Sequence, residues 1–235
     1  PTCGSPYISG FRAGTQQIER EVKKYFPKAR VLRMDYDTTR TRESYEKILS
    51  AFGKGEADVL VGTQMIVKGH DFPNVTLVGV LAADISLYAS DYRAAERTFQ
   101  LLTQAAGRAG RGEQAGEAVI QTYMPEHYSI QAAVKQDYEA FYRQEIAYRN
   151  LMGYPPVETM MGIYLSAGDQ ELLEEKTKTL GIFIREMQQQ EVLMIGPADA
   201  ALTRLNDRYR KVIYLKSRQE EKLLLIKNKT EHYLE

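Results

Sequence analysis

Two arginines, Arg108 and Arg111, stand three residues apart in the string Gln104-Ala-Ala-Gly107-Arg108-Ala-Gly110-Arg111-Gly112. Small residues separate them, so the string reads as a flexible loop able to bring both guanidinium groups to one anionic point. Glycines let the backbone approach closely, and a guanidinium fork matches phosphate geometry. The expected chemistry is charge neutralisation on a phosphoryl group; the plain alternative is a turn with solvated arginines. A second string is Gly62-Thr63-Gln64-Met-Ile-Val-Lys68-Gly69-His70-Asp71-Phe72-Pro73-Asn-Val75-Thr76-Leu-Val. Hydroxyl, amide and backbone N–H groups at the end of a buried strand suit a sugar-phosphate backbone. His70 has no paired base or nucleophile in view and is expected to pack. A third feature is Gly14-Thr15-Gln16 with the later Arg33-Met-Asp35-x-Asp37-Thr38-Thr39. A helix start offers free N–H groups and its dipole to an anion, although every helix start does so.

The elements that must position these residues follow from periodicity. Gln17 to Phe26 is amphipathic and stops at Pro27, Ala29 to Met34 reads as a strand, and Glu43 to Phe52 is again helical. Asp58 to Gly62 and Val75 to Leu81 are nearly continuous apolar runs, which suit central strands covered on both faces. Asp91 to Ala106 predicts a helix and Ala118 to Thr122 a strand. This alternation predicts an α/β domain over residues 11–125, a RecA-like parallel sheet with helices on both faces. Residues 126–156 predict a helical linker of one or two helices, broken at Gly153-Tyr154-Pro155-Pro156. Residues 157–235 predict a small α+β domain: strand 158–165, helix 170–190, strand 192–195, a Gly196-Pro197 turn, strand 211–215, and a last helix. Ser217 and Glu220 form a capping-box pattern for that helix.

Composition narrows the classes. At 43% hydrophobic and 26% charged the chain is expected to be globular, and no apolar run is long enough to span a bilayer. Nothing resembles a secretory leader, and one cysteine, Cys3, fits a cytoplasmic setting. Net charge is zero, but residues 12–42 carry nine basic against four acidic residues, and residues 203–229 nine against three. Such segments can engage phosphates or be ordinary solvated faces. Pro-Thr-Cys-Gly-Ser reads like the second half of a Cys-x-x-Cys-Gly knuckle. One thiolate cannot hold a tetrahedral zinc, so no zinc is expected in this chain.

In chain order the three strings resemble motifs IV, V and VI of superfamily 2 helicases, hence the second RecA-like lobe of such a motor. The strings CGS, GTQQIEREV, TQMIVKGHDFPNVTLVGVLAAD, DYRAAERTFQLLTQAAGRAGRG, YPP and IGPADAALTRLNDRYRKVIYLKS together resemble the primosomal protein N′ family of bacterial replication-restart helicases. That resemblance covers essentially residues 1–218. It implies that Arg111 is an arginine finger, that Arg108 is a second γ-phosphate contact, and that Gln104 senses nucleotide. It also implies that Thr63 and Gln64 hold the tracking DNA strand while Gly69 and Asp71 couple that grip to the cleft. Thr15 and Thr38 fall at the motif IV helix and the DNA-contacting loop. A C-terminal domain that helps bind branched DNA is implied too, and the basic segment with Arg204, Arg208, Arg210 and Lys211 fits it. Residues 1–10 would be the remnant of a zinc-binding module, with Cys3 a zinc ligand only in a longer protein.

ATP with Mg²⁺, forked DNA and single-stranded/duplex junctions, other primosome proteins and a single-stranded DNA-binding protein are the implied ligands and partners. Unwinding in the 3′-5′ direction is implied as well. The chain has no G-x-x-x-x-G-K-[ST] string, so it is expected to be half an ATPase site, inactive by itself. Two rivals stay open here: another superfamily 2 motor such as an RNA helicase, and a nonenzymatic nucleic-acid or protein-binding module on a RecA-like fold.

Overall fold

The computed structural model of the chain describes residues 14–67, 72–110, 114–187 and 191–234. It divides into two compact units. The first holds the described residues through Ile85 together with Arg97–Gln136, and the second holds Ser86–Glu96 together with Asp137 onward. None of the described helices is long and apolar enough to cross a membrane.

In the first unit, α1 (Thr15–Tyr25) leads into β1 (Val31–Met34), α2 (Arg42–Gly53) and β2 (Val59–Gly62). Thr41 starts α2 by accepting the Ser44 N–H at 3.2 Å, one of the four donors a helix start leaves without an internal partner. β1 and β2 pair in parallel, from Val31 opposite Val59 to Met34 opposite Gly62. Their amino ends are clamped. Arg30 donates its backbone N–H (2.8 Å) and two guanidinium hydrogens (3.1 and 2.7 Å) to the Asp58 carboxylate. The same fork holds the Asp58 carboxyl down at about 2. After β2 come a 3-10 turn (Gln64–Val67) and β3 (Leu77–Val80). A second such turn (Ala83–Tyr88) and α3 (Ala94–Ala106), whose residues 86–88 and 94–96 are counted with the second unit, precede β4 (Glu117–Ile120) and α4 (Tyr128–Lys135). β3 and β4 also pair in parallel.

This is the α/β, RecA-like lobe expected from the alternation, with one difference. The strands join as two parallel pairs, and β3–β4 half-buries one face and leaves the other open: Leu77 and Val119 are 61% and 51% exposed. A valine-rich run shows that a strand favours apolar cover, not which element provides it.

In the second unit α5 (Tyr138–Met152) starts at Asp137, whose carboxylate accepts the Ala140 N–H (2.9 Å), and stops at Gly153 in the left-handed region. The break from α4 falls at Gln136, also left-handed at φ 52°. Beyond Pro156 come β5 (Thr159–Ala167), α6 (Gln170–Glu186), β6 (Leu193–Leu205), β7 (Arg208–Ser217) and α7 (Glu220–Leu234). The sheet is antiparallel in the order β5-β7-β6. Leu180 and Ile184 of α6, Ile213 and Leu215 of β7, and Leu223 and Ile226 of α7 form its core. Alternation therefore turns Ile213 and Leu215 to the helices and Arg210, Val212 and Tyr214 to the other face.

Two sequence expectations need correction. Gly196-Pro197 does not end a strand: β6 runs through it, with the register slipping between Ile195 and Ala198. The true turn is Asn206-Asp207, both at positive φ (50° and 57°), between β6 and β7. Ser217 accepts the Gln219 N–H at 3.0 Å rather than that of Glu220, so it makes a tight turn before α7, not a capping box.

Candidate nucleotide and nucleic-acid interface

The loops after β1 and β2 leave one edge of their sheet, because Met34 and Gly62 are register partners there. Thr63 and Gln64 occupy this edge and are exposed. A side chain at Gly62 would lie 2.7 Å from the Met34 carbonyl oxygen and 2.7 Å from Ile66 Cγ2. Glycine is thus what lets the chain fold back into the Gln64–Val67 turn and present Thr63.

Thr15 and Thr38 meet at a buried carboxylate on this edge. Asp35 accepts the Thr15 hydroxyl hydrogen bond, the Thr38 N–H (3.0 Å) and the Thr38 hydroxyl (3.1 Å), and ion-pairs with Arg33 at 3.2 Å. The Thr15 hydroxyl and the Thr38 N–H hold its carboxyl below the ordinary carboxylate value. By residue type alone Asp35 is one of two acids in a polar loop, with nothing to mark it. The structure makes it the hub that positions both threonines, and the signal was an acid flanked by Arg33 and Thr38 at a strand end.

Asp35→Asn should cost about 1–3 kcal/mol, the usual scale for hydrogen bonds to a charged group. Because its folded pKa is depressed, the stabilisation is complete at neutral pH and fades as pH falls through the folded value. Urea unfolding of the wild type and the variant should therefore show a gap at pH 7 that narrows only once pH falls below the ordinary carboxylate value of 3.8. A gap that stays constant with pH would place the loss elsewhere.

Gln104 lies exposed near the end of α3, and Arg108 lies half-buried in the turn that follows. The Gly107 and Arg108 N–H groups donate to Thr103 (3.0 Å) and Ala105 (3.0 Å) carbonyls, winding the chain past the helix end. Gly110 then donates to the Val75 carbonyl at 2.9 Å, and Glu117 to that of Thr76 at 2.8 Å. Gly110 is left-handed at φ 73° and packs its backbone directly on Gly116. The two glycines close a neck on the loop between them. Gly116 was not singled out from sequence, since a lone glycine before a strand looks like any turn. Arg111, Gly69, Asp71, His70 and Cys3 lie outside the described residues.

The second unit sorts its cations by face. Lys211, on the helix side of β7, ion-pairs with Glu174 and with Asp199 (3.2 Å). The Glu174 contact, ahead of Asp199, holds its ammonium pKa above the ordinary lysine value. Its charge is already neutralised. Arg204 pairs with Asp207 (3.1 Å) and lies over Tyr209. Arg208 donates to the Ser166 carbonyl at 2.8 Å and to its hydroxyl at 3.3 Å, while Arg210 lies 5.8 Å from the Tyr164 ring centre. Among the described residues no carboxylate forms an ion pair with Arg208 or Arg210. Of the four basic residues expected to meet DNA, these two present uncompensated charge on the face away from α6 and α7.

The lobe with a parallel strand pair ending in a Gly-Thr-Gln turn, and a helix running into an arginine-bearing glycine loop, falls in the class of helicase C-terminal domains. The chain matches the helicase conserved C-terminal domain over residues 8–113, a span that holds Thr15, Thr63, Gln64, Gln104, Arg108 and Arg111. Residues 150–232 match the primosomal protein N C-terminal domain. The replication restart protein PriA of Bacillus subtilis is 47% identical over 99% of this chain, which covers 29% of that relative. PriA of Synechocystis is 42% identical over 89% of the chain and PriA of Thermotoga maritima 35% over 95%, covering 25% and 30% of those relatives. The chain belongs to the PriA family of replication restart proteins and corresponds to its C-terminal region.

Proposed function

We propose that this chain supplies one wall of the ATP cleft and part of the DNA-tracking surface in a DNA helicase that remodels stalled replication forks. One observation carries the proposal: the neck of the arginine loop is hydrogen-bonded to Val75 and Thr76, the end of the DNA-contacting string that leads into β3. Gly110 and Glu117 donate to Val75 and Thr76 (2.9 and 2.8 Å). A shift at the nucleotide loop thereby reaches Val75 and Thr76 through backbone hydrogen bonds, not flexible side chains. Arg111 serves as the finger on the γ-phosphate, Arg108 as its neighbour, and Gln104 as the sensor. Gly69 and Asp71 relay the movement.

The P-loop lysine and the Mg²⁺-binding hydroxyl and carboxylate must come from another lobe, so residues 1–235 alone hydrolyse no ATP. A single cysteine supplies one thiolate toward the four ligands of a tetrahedral zinc, and among the described residues no group of His, Cys, Asp and Glu could hold a metal ion. The relatives' names support a role in replication restart; forked DNA as substrate, 3′-5′ unwinding in the cytoplasm, and primosome proteins and a single-stranded DNA-binding protein as partners follow from the family resemblance of the motifs.

The coupling test is the double variant Thr63→Ala, Gln64→Ala in the full-length protein. ATP turnover on forked DNA should persist while unwinding drops by about tenfold or more, on the scale of one or two lost charge-assisted phosphate contacts. Both side chains are exposed, so thermal stability should stay within about 1 kcal/mol, as for other surface substitutions. A sharp fall in the unfolding midpoint with unwinding intact would make the turn structural instead.

A further inference from the structure

The face of the β5-β7-β6 sheet turned away from α6 and α7 is unusual for a solvated sheet surface. Such faces are ordinarily polar, yet this one carries Tyr164, which is 56% exposed, beside Tyr214 and the exposed Ile195. Register places Gly162 opposite Tyr214 on β7, and Tyr214 opposite Ile195 on β6. Gly162 has a clear reason to be glycine. A methyl group there would stand 3.1 Å from Tyr164 Cε2 and 3.2 Å from Tyr214 Cε1, so the missing side chain is what admits both rings.

The two rings meet edge to face, centroids 6.2 Å apart at 88°, with their hydroxyls hydrogen-bonded at 3.0 Å. Each fixes the other, so little rotamer freedom remains to be lost when a ligand stacks on them. Farther along β7, toward Lys216, the face is walled by the turn after α5. Lys216 donates to the Met152 carbonyl at 2.9 Å and sits 3.8 Å above the Tyr154 ring centre, which stacks in turn on Tyr92. At the other end stand Arg208 and Arg210, which no carboxylate pairs among the described residues; Ser166 is opposite Arg210 in the ladder. An open aromatic face bordered by unpaired guanidinium groups suits one ligand chemistry: bases stacked on rings with their phosphates on arginines. A duplex keeps its bases stacked on each other and cannot use the rings.

We propose that this face is a stacking platform for unpaired bases of single-stranded DNA, with Tyr164 the exposed ring and Arg208 and Arg210 the phosphate contacts. The proposal rests on the reading that these arginines meet DNA phosphates and adds the base contact and the strandedness. Fluorescence anisotropy of the 235-residue chain with labelled dT20, rU20 and a 20-bp duplex tests it at low and moderate salt. The expected order is dT20 tighter than duplex. Tyr164→Leu should weaken dT20 by about 5- to 100-fold, the range one stacked base is worth, and leave the duplex within about twofold, since no stacked base is lost there.

Tyr164→Phe keeps the ring and should hold dT20 within about threefold, its hydroxyl contact being a second-order term beside stacking. That variant separates stacking from misfolding. Equal binding of rU20 supports a stacking site indifferent to the sugar, whereas rU20 binding tenfold tighter than dT20 overturns the assignment to DNA. If Tyr164→Leu leaves dT20 unchanged, or weakens duplex and single strand alike, the platform is overturned. In that case Arg208→Gln with Arg210→Gln still weakening every ligand would leave the phosphate reading standing. No binding of any ligand at low salt overturns both.

Discussion

Arg111→Ala in the full-length protein should lower ATP turnover at saturating forked DNA by about 10³-fold or more, the scale on which an arginine finger acts. Phosphoryl transfer gains chiefly from positioning and from neutralising charge on the transferred group, so removing the finger raises the barrier by about 4 kcal/mol. Nucleotide and DNA affinities should stay within about tenfold, because a finger acts on charge that develops in the transition state. Arg111→Lys should fail to rescue, since a point charge on a flexible stem does not reproduce the planar fork. Arg108→Ala, at the start of the same loop, should give a smaller loss. Steady-state phosphate release decides it: an alanine variant keeping more than about a tenth of wild-type turnover, where 10³-fold is expected, removes Arg111 from the catalytic residues.

The neck of that loop should be nearly as sensitive, without touching nucleotide. A methyl group on Gly116 would overlap the Gly110 nitrogen and the Ala109 carbonyl carbon, both backbone atoms that cannot rotate away. Gly116→Ala must therefore prise the neck open and strain the bond from Gly110 to Val75. The expected loss of stability is about 1–3 kcal/mol, as for overpacking elsewhere. A loop displaced by about 1 Å costs on the order of 10² in rate. Gly79→Ala is the control. It lies in β3 beside the same neck, has an ordinary φ, and meets nothing within 4 Å, so it should be near neutral. If turnover of Gly116→Ala matches that of Gly79→Ala, the neck does not position the arginines.

The strings that could do chemistry were legible because their residue types are unusual together. Arginines among glycines and a Thr-Gln pair after an apolar run stand out by residue type before any fold is known. The RecA-like alternation was legible for the same reason, strand and helix periods being distinct over α1 to β2. What escaped were features that depend on a neighbour distant in sequence. Gly-Pro looked like a turn at 196–197, yet β6 is an edge strand, where a residue without an N–H and a register slip are both tolerated. Asn206-Asp207 was the real hairpin signal, two residues able to take positive φ. The division between α4 and α5 has neither glycine nor proline, only Gln136 in the left-handed region and Asp137 as the next cap. The pairing of Gly110 with Gly116, and of Asp35 with Thr15, exists only once the chain has closed.

The clamp between Arg30 and Asp58 has a consequence for how this lobe can change over generations. It fixes the register of β1 and β2 at the end remote from Thr63 and Thr38, by three hydrogen bonds that involve no residue of the candidate site. A strand pair pinned there does not slip when the loops at its far end are altered. Sequence drift in those loops can thus lengthen a turn or exchange one hydroxyl for another while the scaffold beneath stays put. Loss of the clamp would remove that latitude before it removed any contact with a ligand.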